Sequence, residues 1–477
     1  MKSLRFYAAG AMVGSLVGIW AGTAGAAGFA TQQFGGEQGN AVTTNPTALY
    51  YNPGGLAFSP GTALGGYGSL ALRSATWTHA QAASDVPDPA GAQGADTGKA
   101  KLLNLFGGPS VAGSTHIGNL VIGFGFFAPF YGISHWSKNS AFTNSAMFPG
   151  AADGPQRWFA IDGKEEVLYF SPGLAYRLGP LGLGATLNLI STTVSSYLGK
   201  SASGNPATAA GQEGRSFLDV RGFDASFAAG AMIEIVPGQL WLGGSYNAQP
   251  GLGQQSLKGT SSQTLFGKTQ DFPVTFTQAL PDIIRYGVRF HPKSLPWEFR
   301  VFGDYTRWSK MQAQCTVITN DPCDIIPIDG STNANQGAQP PLSKLEPNGV
   351  QSYNRRNWKD TYGIRVGASY WVNAPIEVFV GGGYETAAVP DSTLAPDLFD
   401  ANNIMATIGG RFAITDMLFL TASFTQIQYF NRDNTGKSTL NTLPNGTQLN
   451  LPTQEMDGGG QYTQWVSLLT GNIEAMF

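Results

Sequence analysis

Apolar and polar side chains alternate along most of this chain with a period of two. In the last segment Ala475, Ile473, Gly471, Leu469 and Trp465 share one face, while Glu474, Asn472, Thr470 and Gln464 share the other. Upstream, Leu181, Leu183, Ala185, Leu187 and Leu189 alternate with Thr186 and Asn188. Ile284, Tyr286, Val288 and Phe290 alternate with Arg285 and Arg289, and Ile364, Val366, Ala368 and Tyr370 with Arg365 and Ser369. The same rhythm returns around Phe299, Ile376 and Ile408. Period two is the geometry of a strand. One apolar and one polar face over many strands fits a barrel with lipid outside and water inside. Period alone also fits a soluble sandwich; the leader segment, the low share of charge and the aromatic last strand favour the barrel. Charges against lipid are costly, so their confinement to the polar register supports this reading.

The connections set the strand number. Short turns are predicted near 116–119, 179–180, 237–238, 291–296, 373–375 and 415–416. Long segments rich in Gly, Pro and Asn fall near 81–104, 129–163, 201–214, 251–270, 313–356, 389–401 and 433–460. Alternating short turns with long loops requires about fourteen antiparallel strands, an even number typical of such barrels. The short turns belong to the periplasmic side and the long loops face outward.

Two segments precede the wall. Lys2 and Arg5 lead an apolar run from Phe6 to Trp20 that ends in small residues at Ala26, the form of a secretory signal cleaved after residue 26. Residues 27–60 carry Asn45-Pro46 and Asn52-Pro53-Gly54, which form turns. They make either a periplasmic tail or a plug in the lumen. The barrel then occupies residues 61–477.

Composition narrows the class. Charged residues are 12% of the chain, about half the share in soluble proteins, yet the mean hydropathy is only −0.08. Strands with one apolar and one polar face average to such a value. A formal charge of −3 indicates no nucleic acid partner. The two cysteines, Cys315 and Cys323, are close enough in one loop to form a disulfide staple in an exported protein. The four histidines, His79, His116, His135 and His291, show no serine-base or metal spacing. We therefore expect no enzyme, no cofactor and no metal.

Four motifs resemble the FadL/TodX family of outer-membrane channels for long-chain fatty acids and other hydrophobic compounds. They are Ala27-Gly28-Phe29 with Asn52-Pro53-Gly54, Ser171–Arg177, Leu280-Pro281-Asp282 through Trp308-Ser309-Lys310, and Asn357–Thr361 leading to Ala368. They run in order over the chain from Ala27 to Phe477. Gly54 departs from the Asn-Pro-Ala usual in the family. The resemblance implies a monomeric fourteen-stranded barrel with residues 27–60 as a hatch in the lumen. It further implies capture of a hydrophobic ligand by outward loops, hatch rearrangement, and passive exit sideways into the outer membrane through a kinked strand.

By position, Gly28, Asn52, Pro53 and Gly54 belong to the hatch, and Phe29 to the ligand pocket. Gly123, Gly125 and Pro129 mark the strand for the lateral opening, because glycine and proline weaken strand pairing. Phe130 and Trp136, with Phe142, Met147, Phe148, Trp158 and Phe159, make an aromatic outward segment read as a capture surface. Trp158 and Phe159 also suit a membrane-interface girdle. Arg285 and Arg365 either meet a ligand carboxylate or pair with lumen acids such as Asp304, Glu377, Glu385 and Glu474. Further expected partners are outer-membrane lipid and the barrel-assembly machinery, addressed through the strand ending at Phe477. The rival readings are a general diffusion porin and a structural or adhesive barrel.

Overall fold

The structure is a computed structural model and describes residues 39–80, 87–201, 213–319, 350–440 and 456–477. The expected signal segment, Gly28, Phe29 and Cys323 lie outside the described residues. In chain order the first strands are β1 (Ala63–His79), β2 (Gly98–Ile117), β3 (Leu120–His135), β4 (Asp162–Leu178), β5 (Leu181–Ser201), β6 (Glu213–Val236) and β7 (Leu240–Asn247). There follow β8 (Gln255–Leu265), β9 (Lys268–Gln278), β10 (Ile283–Phe290), β11 (Trp297–Thr306), β12 (Ala313–Ile318) and β13 (Val350–Arg355). The last are β14 (Thr361–Asn373), β15 (Ile376–Glu385), β16 (Asn403–Thr415), β17 (Leu418–Tyr429), β18 (Arg432–Asp433) and β19 (Gly460–Met476).

Fourteen of these close the barrel. β1 to β7 pair in sequence, β7 pairs with β10, β11 with β14, and β14 to β17 follow in turn. β19 joins β17 to β1 and completes the ring. The alternation maps onto its two faces. Thr186 and Asn188 are buried inside β5 while Leu187 and Leu189 are exposed on it, and on β19 Thr470, Asn472 and Glu474 alternate with exposed Leu469 and Ile473. No helix among the described residues is long and apolar enough to cross a membrane.

The expected count of fourteen holds, and the loops need a correction. Segments read as irregular contain strands. β8 lies within 251–270, while β12 and β13 lie within 313–356. They extend the sheet outward: the outer part of β6, Arg215–Arg221, pairs with β8, which leads through β9 and β12 to β13. Segment 81–104 yields its last residues to β2, and 129–163 its first to β3. Among the described residues, β8, β12 and β13 carry none of the large exposed apolar side chains that line the outside of the wall, so the alternating signal fades there.

Residues 39–60 fill the lumen. A short helix, Ala48–Tyr51, is followed by a 3-10 turn, Pro53–Phe58, packed against β4, β5 and β6. Ala48, Leu49, Leu56 and Ala57 are fully buried. The segment is a plug, which resolves the choice between tail and hatch for its described part.

Candidate functional site

The wall contains a break. β1 holds β2 along its length, from Ala63↔Ser114 to His79↔Gly98. On its other edge β2 pairs with β3 only from Ile117↔Leu120 to Val111↔Phe126. β3 stays with β4, through a bulge that shifts register between Phe127 and Phe130. Backbone pairing resumes at the bridge Leu102↔Trp136, one residue past the end of β3. Prolines stand on both sides of the interval: two residues past the last pair, Pro109 would face Ala128, the neighbour of Pro129. Neither proline has an N–H to donate, and a strand tolerates proline where pairing has stopped. Phe127, Ala128, Pro129 and Phe130 are buried in succession, so β3 abandons alternation and turns inward here.

The predicted trio for this opening therefore divides. Pro129 lies in the bulge. Gly123 and Gly125 lie below it in regular pairing, opposite Ser114 and Ala112. A Cβ on Gly125 would come within 2.3 Å of the Phe127 ring, so this glycine makes room for the inward-turning strand.

Asn52 fastens the plug to the wall. Its Oδ1 accepts from Gly54 N at 3.1 Å and starts the 3-10 turn, with Pro53 in the first turn where its missing N–H costs nothing. Its Nδ2 donates to Ala41 O at 2.6 Å and to Ala231 O on β6 at 2.9 Å. The fit is tight on both sides. A Cβ on Gly54 would meet Gly230 O at 2.7 Å, and one on Gly184 of β5 would meet the Pro53 carbonyl at 2.3 Å. Ser245 and Asn247 of β7 donate to the carbonyls of Tyr51 and Tyr50 at 2.6 and 2.9 Å. At the other end Asn45 donates to Glu474 at 2.8 Å.

Plug and break share a cavity of about 50 Å³. Its lining includes Asn40, Ala41, Tyr50 and Tyr51 from the plug, Pro129 and Phe130 from the bulge, Arg285, Asp304 and Arg365 from facing strands, and Trp308 from the 3-10 turn after β11. A site for one water needs about 10–15 Å³, so the closed cavity holds a few waters and no acyl chain. The two arginines differ. Arg365 is held by Asp304 at 2.5 Å and Glu385 at 3.1 Å. Arg285, also buried, donates to Tyr50 O at 3.4 Å, and its guanidinium lies 4.6 Å from the Tyr50 ring centre and 5.5 Å from that of Tyr51. Among the described residues Arg285 forms no ion pair.

Beneath the plug, on the short-turn side, lies a larger chamber of about 300 Å³. Its floor is charged and balanced. Glu298 pairs with Arg289 at 2.8 Å and with Arg300, and Arg411 lies 3.7 Å from Glu474.

The aromatic outward segment differs from expectation. Phe130, Trp136, Phe142 and Phe159 are buried, and only Met147 among the named residues is strongly exposed. Phe159 packs edge-on to Trp77 inside the lumen, and Trp158 donates to Asp96 at 3.1 Å beneath the stacked Arg157 guanidinium. Neither forms a membrane girdle, and the segment presents no broad exposed apolar surface. Trp136 bridges to Leu102 at the end of the break, away from the cavity that Phe130 lines. Cys315, on β12, is disulfide-bonded.

Sequence reasoning missed Pro109, Tyr50 and Tyr51, and gave Trp308 as part of a motif without a place in the cavity. A proline inside a strand pattern was a usable signal for the first. The others carry no local mark, because the plug and the wall meet only in three dimensions.

A model of the family described as outer membrane protein transport protein (OMPP1/FadL/TodX) matches residues 17–458. No curated protein matches the chain. Among solved structures, a Pseudomonas aeruginosa FadL homologue superposes with a TM-score of 0.73 at 16% identity, covering 96% of this chain and 99% of its own. The Pseudomonas putida toluene transporter TodX gives 0.61 at 14% identity, with 96% and 100% covered. The Ralstonia pickettii toluene transporter TbuX gives 0.56 at 15%, with 94% and 99% covered. At these identities the structures speak for the fold, a closed fourteen-stranded barrel, while the family match spans nearly the whole chain. The chain is a bacterial outer-membrane protein of the OMPP1/FadL/TodX transport family.

Proposed function

We propose that this protein carries hydrophobic compounds passively across the outer membrane, and that its preferred cargo is an apolar chain ending in a carboxylate. The observation that carries the preference is Arg285, a buried guanidinium in the cavity between plug and break whose described partners are a carbonyl and two rings. Cation–π contact offsets part of the cost of burying that charge. A carboxylate would offset more, since guanidinium and carboxylate form two parallel charge-assisted hydrogen bonds. Arg365 is already matched by two acids and serves as wall structure.

The cavity is too small for such a cargo while the plug is seated, so entry requires the plug to move. Tyr50 and Tyr51 make both the plug's contact to Arg285 and part of the cavity lining. An incoming carboxylate competes for Arg285 with the plug itself, which couples arrival of cargo to release of the hatch. Sideways exit is favoured by the chemistry of the alternatives. Straight below lies a chamber lined by three arginines and three glutamates, where an alkyl chain would displace water from charged groups at a cost of several kcal/mol. Beside it lies a wall break edged by Phe127, Ala128 and Phe130, with lipid outside.

The test is uptake of labelled oleate and labelled toluene by cells lacking their own channels, with and without this protein, and with Arg285→Gln. Faster oleate entry that falls about tenfold in the variant, while toluene entry is unaltered, is the expected result; loss of one charge-assisted pair of about 1.5–3 kcal/mol supports that scale. Toluene entry alone would make the cargo a neutral hydrocarbon and Arg285 a part of the plug's seat. No gain for either compound over the control would overturn the transport reading.

A further inference from the structure

At the outward end of the wall break, side chains join the two edges before strand pairing resumes. Asn104 of β2 donates from Nδ2 to His135 O at 3.0 Å and accepts from His135 N through Oδ1 at 3.0 Å. Its amide therefore makes both bonds that a facing peptide group would make. Arg73 of β1, in register with Asn104, reaches over β2. It donates to Ile133 O at 3.2 Å and is steadied by Gln464 of β19 at 2.9 Å. Both residues are buried on the lumen face. Just outward, Leu102 bridges Trp136 and Lys101 O accepts from Ser137 N at 2.8 Å. Inward, the edges of β2 and β3 stay apart down to Val111 and Phe126. Leu103 and Leu105 on this stretch of β2 are 63% and 55% exposed on the lipid side.

We infer that Asn104 and Arg73 form a latch that sets the outward limit of the lateral opening, and so the width of the molecule that can leave through it. The inference rests on the sideways exit proposed above. A backbone ladder cannot be shortened without unfolding a strand, whereas a side-chain amide ends pairing at a chosen residue and leaves the edges below it free. The latch spans three strands, β1, β2 and β3, so the two edges of the break stay tied while cargo passes beneath. Its removal strips His135 of partners for both its N–H and its C=O and lets the break extend outward to the Leu102–Trp136 bridge. Asn104 and Arg73 are positioning residues. They touch strand backbone, and they line no part of the cavity where cargo is held.

The experiment compares the full chain, in lipid nanodiscs and in cells, with Asn104→Ala and Asn104→Asp. Amide exchange from Ile133 to Ser137 is read first. It should accelerate about tenfold in Asn104→Ala and less in Asn104→Asp, which retains the acceptor for His135 N. Exchange in the regular pairing from Leu120 to Phe126 should not change, which also certifies that the barrel has folded. Uptake is read second, with oleate as the slim probe and pyrenedecanoate as a wide one bearing the same carboxylate. In Asn104→Ala the ratio of wide to slim uptake should rise several-fold. Unaltered exchange between Ile133 and Ser137 overturns the latch. Faster exchange with an unaltered ratio overturns its role in selecting width. Should no carboxylate enter through the unmodified protein, the exchange result still judges the latch, and the failure belongs to the transport reading.

Discussion

At the scale of single residues, two contacts govern the plug. The first is steric. Gly184 and Gly54 let two backbones approach where a methyl group would have no room. Gly184→Ala should unseat the Pro53–Phe58 turn at a cost of about 1–3 kcal/mol, the usual penalty for overfilling a packed site. The check is limited proteolysis of the plug, expected to accelerate while the heat-modifiable gel mobility of the barrel stays unaltered. At Gly54 a side chain would meet the backbone of Gly230 and Ala231 on the wall. The second contact is electrostatic. Arg285 was visible in the sequence as a cation on the wet face of a strand, with two open readings, ligand or lumen acid. Arg365 and Arg411 took the acid. The difference was not legible, because Asp304, Glu385 and Glu474 come from other strands.

At the scale of elements, the outward connections are built around carboxylates. Asp88, in the connection between β1 and β2, accepts from Gly94 N at 2.7 Å, Asp96 N at 2.8 Å, Thr97 N at 3.1 Å and Thr97 Oγ1 at 2.6 Å. Burial pushes its carboxyl up, but these hydrogen bonds together outweigh burial and hold it below the usual range. Asp391 is likewise pushed up by burial and held low on balance by Arg432 and Lys437. A carboxyl whose pKa is lower in the folded state stabilises at pH above its unfolded value, and that contribution fades as pH falls through the lower folded value. The two connections should therefore keep their order down to about pH 4 and lose it only in stronger acid. Amide protection of Gly94, Asp96 and Thr97, followed on acidification, should show this for Asp88. In Asp88→Asn the protection should be weaker at neutral pH and nearly flat with pH. These loops also mark where sequence reading failed. The described side chains of β8, β9, β12 and β13 include no large exposed apolar residue to announce them, and the aromatic segment from Phe130 to Phe159 looked like surface because its packing partners, Trp77 and Trp308, lie elsewhere in the chain.

At the scale of the whole molecule, the fourteen-strand wall was legible because lipid imposes the same two-residue rule on every strand that crosses it. The break was half legible. Pro129 could be seen, but its counterpart Pro109 could not be assigned a partner before the register was known. Restoring donors on both edges, with Pro109→Val and Pro129→Val together, should let β2 and β3 pair through the interval. Uptake should then fall several-fold while the amount of folded barrel is unaltered, as measured by labelled oleate entry per molecule in the membrane. Uptake equal to that of the unmodified protein would instead place the exit elsewhere than between β2 and β3.

The paired charges beneath the plug have an electrical consequence. Arg289, Arg300 and Arg411 face Glu298, Glu377 and Glu474 in a chamber stopped on one side by residues 39–60. Three cations against three anions leave little net field to draw an ion in, and residues 39–60 stand in its way. In a voltage-clamped planar bilayer the protein should lie almost silent, without the current steps of an open pore, in the same membrane across which it delivers cargo. A cell can then keep many copies of such a protein in its outer membrane without making that membrane leaky to small ions.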